Sequence, residues 1–256
     1  MGKLVKSEYY FDSHCETRMG KYLTGVAKSF IEENLRADPK VRNVFDAGGG
    51  SGRFAIPLGQ KGYKVTLSEV DIKPLRALKR KLPNVPAILV GKDIQSFPFK
   101  DRAFDCILCI QDPWYTERSN WFFAECNRLL KGNGILIFTI INKNSYKALF
   151  RWVVLKRYLL QGKWWAALEY RKSFTDIRKH IEVKGFRLLR AKGYSWIPYT
   201  YSSKGKFISL FVALEKLLRL DLLVSVSPRL IIKARKVSDF DYEGENNRSN
   251  ERQTMG

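Results

Sequence analysis

A chain of 256 residues, 45% hydrophobic and 28% charged, buries a full core without metals or disulfides, which excludes a disordered polar segment and a stapled mini-domain. Its 46 Lys and Arg against 25 Asp and Glu give a formal net charge of +21, which favours polyanions such as nucleic acid, anionic lipid or a phosphorylated substrate without saying which. The four cysteines, Cys15, Cys106, Cys109 and Cys126, do not space out as a secreted disulfide framework, and a reducing, cytoplasmic setting is expected.

Residues 1–11 are polar and lack the apolar stretch of a secretory leader, and Lys6 stands where the myristoylation pattern needs Ser or Thr. No apolar run approaches the roughly 20 residues of a membrane-crossing helix. The expectation is a soluble protein, or one that lies on a membrane surface.

Along the chain, Tyr22, Leu23, Val26, Phe30 and Ile31 recur at helical spacing and predict an amphipathic helix over 20–35, broken by Asp38-Pro39. Strands are predicted at 41–47, 65–69, 87–90, 104–110 and 135–141, with helices through Gln60 and over 74–82 and 121–130 between them. After Asn142 the alternation stops. A helix starting at Ser173-Phe174-Thr175-Asp176 and running to Val183, then strands at 186–189 and 230–234, complete seven strands. Strand and helix in alternation predict a doubly wound α/β fold, a mostly parallel seven-stranded sheet with helices on both faces and ligands at the carboxyl ends of the strands.

One domain is expected over 1–236, with its core at about 41–142 and 173–236, helical cap insertions at about 143–172 and 199–226, and a disordered polar tail over 237–256. The first insertion mixes Trp152, Trp164 and Trp165 with Arg151, Lys156, Arg157 and Lys163. In the second, Phe207, Leu210, Phe211, Leu214, Leu217 and Leu218 trace one helical face flanked by Lys206, Lys216 and Arg219. Such helices suit either a cap over a site or an anionic membrane, and the two are compatible.

The chemistry concentrates after the first strand, in Asp46-Ala47-Gly48-Gly49-Gly50-Ser51-Gly52. Glycines let the chain turn tightly and approach a ligand closely. The dinucleotide spacing G-x-G-x-x-G fails, because Arg53 takes the last slot when the count starts at Gly48. Asp46 would also repel a pyrophosphate but attract an ammonium or sulfonium. The segment resembles the D-x-G-x-G-x-G motif of class I S-adenosylmethionine-dependent methyltransferases, as Asp46, Gly48, Gly50 and Gly52. Further stretches resemble the same family: Glu69 ending the second strand, Gly91-Lys92-Asp93-Ile94 after the third, the run from Phe97-Pro98-Phe99 to Phe104-Asp105, and Arg128-Leu129-Leu130-Lys131-Gly132-Asn133-Gly134 before the fifth. In that last turn Gly132 and Asn133 replace the family's proline and first glycine. The likeness covers residues 41–142 well and 174–236 loosely.

The resemblance implies a Rossmann-like domain, S-adenosylmethionine as cofactor, and methyl transfer as activity. It implies Glu69 as the ribose ligand, with Asp71 as its competitor, Asp93 and Ile94 at the adenine, and Gln111 beside the cofactor. Asp112-Pro113-Trp114-Tyr115 resembles, with one change, the D-P-P-Y motif of amine-methylating enzymes; a substrate-lining turn is the preferred reading. Tyr115, His14 and Glu117 are candidates for a general base. Cys106 and Cys109 lie three apart on a strand, on opposite faces, so no metal site is expected, and His180 is expected at a helix surface or half-buried. A small-molecule or lipid-linked acceptor is the first expectation, with an anionic membrane surface as an allowed partner. A tRNA or rRNA methyltransferase and a non-catalytic cofactor-binding protein of the same fold are the alternatives.

Overall fold

The structure, a computed structural model, describes residues 10–91, 93–112, 115, 119–148, 172–199 and 203–240. Its strands are β1 (Asn43–Ala47), β2 (Lys64–Glu69), β3 (Ala87–Leu89), β4 (Phe104–Cys109), β5 (Leu130–Ile141), β6 (Phe186–Tyr194) and β7 (Arg229–Lys236). They form one sheet in the order β3-β2-β1-β4-β5-β7-β6. β7 runs antiparallel to both β5 and β6, and the other pairs are parallel. Chain order reverses between β1 and β4, so a crevice opens there, beyond the carboxyl ends of both strands.

The helices are α1 (Tyr10–Cys15), α2 (Arg18–Arg36), α3 (Ala55–Gln60), α4 (Ile72–Lys81), α5 (Ser119–Leu129), α6 (Phe174–Val183) and α7 (Ile208–Leu217). Side chains alternate across β4. Cys106 and Leu108 join Leu23, Phe30 and Ile31 of α2 in one core, whereas Ile107 and Cys109 join Phe122 and Phe123 of α5 and Ile177 and Ile181 of α6 in the other. The two cysteines therefore face apart, as their spacing requires, and among the described residues no cluster of His, Cys, Asp and Glu is placed to hold a metal. His180 is half-buried on α6, its ring 5.8 Å from that of Phe123.

Local chemistry explains the helix starts. α2 begins at Arg18 because the Thr17 hydroxyl accepts from the Gly20 N–H at 2.9 Å. Ser173 and Asp176 form a reciprocal capping box at the start of α6.

Three boundaries move from their expected places. β5 starts at Leu130 rather than 135, because the Gly132-Asn133 turn is absorbed into the strand as an irregularity, with Asn133 left-handed at φ 64°. β6 extends to Tyr194 because its whole length pairs with β7. Hydrogen bonding to the domain continues past Lys236: the Val237 N–H donates to the Gly185 carbonyl and that of Phe240 to Asn127 Oδ1.

Most of the first insertion, residues 149–171 with its tryptophans and Arg151, Lys156, Arg157 and Lys163, lies outside the described residues, as do residues 241–256. The second insertion contains α7. Ile208 and Glu215 face inward against α2, leaving Phe207, Leu210, Phe211, Leu214, Leu217 and Leu218 exposed. No helix among the described residues is long and apolar enough to cross a membrane.

Candidate functional site

β1 delivers Asp46 and Ala47 into the glycine turn at the crevice. Gly48, Gly50 and Gly52 have φ of 71°, 58° and 85°, a region where any other side chain is strained. Their alternate spacing is thus a demand of the turn itself. The Gly48 and Gly49 N–H groups donate to the Ser68 carbonyl at 2.9 and 3.1 Å, tying the turn to β2. A Cβ on Gly48 would stand 2.0 Å from Asp112 Oδ2, so the bare backbone also admits the carboxylate that follows β4.

Glu69, at the end of β2, is held by three backbone donors. Its Oε1 accepts from Val70 at 2.7 Å and Asp71 at 3.2 Å, and its Oε2 accepts from Gly50 at 3.0 Å. Each carboxylate oxygen has about two acceptor directions, so Oε2 retains one for a ligand hydroxyl. Burial raises the Glu69 carboxyl above its ordinary range, against the pull of those three donors. Asp71 is committed elsewhere: it caps α4, its Oδ1 accepting from the Lys73 N–H at 2.9 Å.

Asp46 is 1% exposed, and its Oδ2 has no hydrogen-bond partner. Burial pushes its carboxyl up to about 7; Arg53 and the Ala55 N–H oppose that shift, and Glu69 and Asp112 add to it. A buried carboxylate oxygen without a donor is costly, and a cation or ammonium donor at the turn would relieve it. Three carboxylates thus converge on a side-chain-free bend. S-adenosylmethionine fits that donor set, since it carries an ammonium, a sulfonium and a ribose with two hydroxyls.

The other expected cofactor positions share this edge. Asp93 is exposed, and Ile94 is half-buried against the second core beside Val70 and Ile88. Gln111, two residues past β4, is left-handed at φ 60°, with its N–H on Thr139 Oγ1 at 2.7 Å. Such strain in a residue other than glycine persists where surrounding structure enforces it.

The base candidates divide. Tyr115 is fully buried among Phe97, Trp121 and Phe122, and burial raises its hydroxyl further above the ordinary value. Its ring is part of an aromatic cluster, and its hydroxyl stays protonated near neutrality. His14 is half-buried near the end of α1, whose Cys15 Sγ lies 3.1 Å from Arg53 Nη1, so this segment does reach the residue after the glycine turn. Glu117, Pro113 and Trp114 lie outside the described residues.

A second cluster on the same edge left no signal in the sequence. The Tyr22 hydroxyl donates to Glu215 Oε1 at 2.5 Å and accepts from the Ser195 N–H at 3.2 Å, and the Trp196 N–H donates to Glu215 Oε2 at 3.3 Å. Lys147 Nζ donates to Ser195 Oγ at 3.2 Å, and the rings of Tyr146 and Trp196 stack. These residues come from α2, the turn after β5, the end of β6 and α7. No spacing pattern joins them.

A family model described as a methyltransferase domain matches residues 45–138. The chain is 28% identical over 170 residues to a malonyl-[acyl-carrier protein] O-methyltransferase of Legionella pneumophila, covering 62% of this chain and 54% of the relative. It is 24% identical over 166 residues to a ubiquinone biosynthesis O-methyltransferase of Rickettsia conorii, covering 60% and 56%. The chain thus spans about half the length of the curated relatives it matches. The magnesium protoporphyrin IX methyltransferase of Synechocystis, solved with bound S-adenosylhomocysteine, superposes with a TM-score of 0.57 at 20% identity, covering 85% of this chain and 84% of that one; at this identity the likeness is one of fold.

Proposed function

We infer that this chain is a class I S-adenosylmethionine-dependent methyltransferase that transfers the methyl group of that cofactor to a small-molecule or lipid-linked acceptor. The observation that carries the reading is the convergence of Asp46, Glu69 and Asp112 on three left-handed glycines at the crevice between β1 and β4. When bound, the cofactor supplies a methyl carbon already activated by its sulfonium, so the protein has mainly to hold the partners in line at about 3 to 3.5 Å. Asp46 and Asp112 favour the cationic amino-acid end. Glu69, locked by three N–H groups, presents its remaining lone pair to the ribose. The Tyr115 and Phe97 wall keeps water from the core side of the crevice.

Two relatives named for acyl-carrier and ubiquinone chemistry support the acceptor class. The outward apolar face of α7, flanked by Lys206, Lys216 and Arg219, supports an anionic membrane surface as the place where such an acceptor is met. The test is a calorimetric titration with S-adenosylhomocysteine, followed by transfer of radiolabelled methyl into lipid, small-molecule and RNA fractions. Saturable binding with label in the lipid or small-molecule fraction is expected. Label confined to RNA would overturn the acceptor class, and binding with no transfer to any fraction would leave a non-catalytic protein.

A further inference from the structure

We propose that the acceptor carries an anionic group, a carboxylate or a phosphate, seated between Lys147, Arg229 and Tyr194 at the carboxyl edge of the sheet. The inference rests on the methyltransferase reading and specifies its substrate. Topology places the three residues. Because β7 is antiparallel to β5, its first residue Arg229 stands opposite Ile141, the last of β5; because β6 is antiparallel to β7, its last residue Tyr194 stands opposite Arg229. All three therefore reach the edge where β1 ends in Asp46 and Ala47 and β4 leads into Gln111. Lys147 follows β5 on a turn capped by Ser145, whose hydroxyl accepts from the Ala148 N–H at 3.2 Å.

The charges there are unbalanced. Arg128, Lys131, Arg235 and Lys236 each pair with a carboxylate within 4 Å, whereas among the described residues neither Lys147 nor Arg229 forms an ion pair. Lys147 donates only to the neutral Ser195 hydroxyl. Burial, and then the neighbouring Arg229, push Lys147 down to about 8, while Glu215 pulls it the other way. Glu215 is itself engaged by the Tyr22 hydroxyl and the Trp196 N–H, so its charge is shared. The fully buried Tyr194 hydroxyl lies close to Arg229, Gln111 and Arg53 without a hydrogen bond of ordinary geometry.

Two like charges partly withdrawn from water repel each other and are poorly solvated. An anion between them offsets both effects, accepts from the tyrosine, and matches the planar fork of the guanidinium. The Lys147 partner is also held in place: Ser195 is left-handed at φ 70°, and its N–H is tied to the Tyr22 hydroxyl. An anionic group anchored here would lie on the same edge as the glycine turn, as an acceptor must.

The experiment follows acylation of Lys147 by mass spectrometry across pH, in the full chain saturated with S-adenosylhomocysteine, with inorganic phosphate or butyrate as the probe. Without either anion, acylation is expected to rise through a pH of about 8. A bound anion favours the protonated amine, so the curve shifts to higher pH and the rate falls. Protection by phosphate alone or by butyrate alone tells which source is recognised. Arg229→Met is expected to abolish protection and Arg229→Lys to restore it, with cofactor affinity unchanged in both. Intact cofactor binding with no protection by either anion overturns this inference alone. Failure of the wild-type chain to bind S-adenosylhomocysteine overturns the methyltransferase reading beneath it.

Discussion

The two halves of the sheet's carboxyl edge are built in opposite ways. At β1 and β2, carboxylates converge on a turn: Asp46 and Glu69 lie within one short stretch of chain, and Asp112 is brought in from the end of β4. Beyond β5 and β6 the cations Lys147 and Arg229 meet, and the parts come from five elements: Tyr22 on α2, Lys147 after β5, Tyr194 and Ser195 at and after the end of β6, Glu215 on α7, and Arg229 at the start of β7. The acidic half suits a cation and the basic half an anion. A compact local motif can serve a fixed cofactor, whereas a surface gathered from insertions can be retuned to an acceptor without disturbing the turn.

Glu69→Ala gives the sharpest break in that comparison. It removes the acceptor proposed for the ribose and the anchor of the Gly50 N–H, two charge-assisted hydrogen bonds of about 1.5 to 3 kcal/mol each, so affinity for S-adenosylhomocysteine should fall by about 100-fold or more in calorimetry. Unchanged affinity would mean that the acidic half does not hold the cofactor. Replacing Leu210, Leu214 and Leu217 with Gln should leave that affinity intact and weaken partitioning onto anionic vesicles by on the order of 100-fold in co-sedimentation, since each exposed leucine can bury on the order of 1 kcal/mol of apolar surface in a bilayer interface. Equal retention of the two proteins would remove the membrane from the account.

Asp46 supplies a pH test of the acidic half. Its carboxyl titrates near 7 in the folded protein, and an ammonium ligand needs it ionised, so binding releases a proton below that value. Affinity for S-adenosylhomocysteine should therefore fall by about tenfold per pH unit as pH drops below about 7, and level off above it. A flat profile would show that the ligand does not depend on this group. The free protein should show the reverse trend in stability. The raised pKa makes the native state bind the proton more tightly than the unfolded chain, so stability declines as pH rises from the ordinary carboxylate range towards 7. The smallest expected effect belongs to Tyr22→Phe, which takes one donor from the buried Glu215. Denaturant unfolding should show a loss of about 1 to 2 kcal/mol, with cofactor affinity unaffected because the change lies in the other half.

Legibility followed the same division. Each strand of the parallel part was readable, because short buried apolar runs stand between polar or glycine-bearing turns, and the glycine turn announced its own left-handed geometry through its spacing. Resemblance in spacing favoured Glu69 over Asp71, and only the structure shows Asp71 capping α4 while Glu69 accepts from the Gly50 N–H. The surroundings of Tyr115 were not legible: the local run Asp112-Pro113-Trp114 says nothing of the rings of Phe97, Trp121 and Phe122, which the fold packs around it. The apolar face of α7 was visible as a helical stripe, but its direction was not, since Ile208 and Glu215, not the stripe, turned out to face α2.

The amino-acid sequence alone determined the alternation of strand and helix, the opposite facing of Cys106 and Cys109, and the acidic glycine turn, because each is a local demand of backbone dihedrals or of a period of two or 3.6 residues. Tertiary structure alone decided the reach of β6, the place of Asp112 above Gly48, and the meeting of Lys147 with Arg229 and Tyr194. These depend on the antiparallel return of β7 and on charges brought together from far apart in the chain, and Coulomb forces and burial act on distance in space, to which sequence separation is no guide.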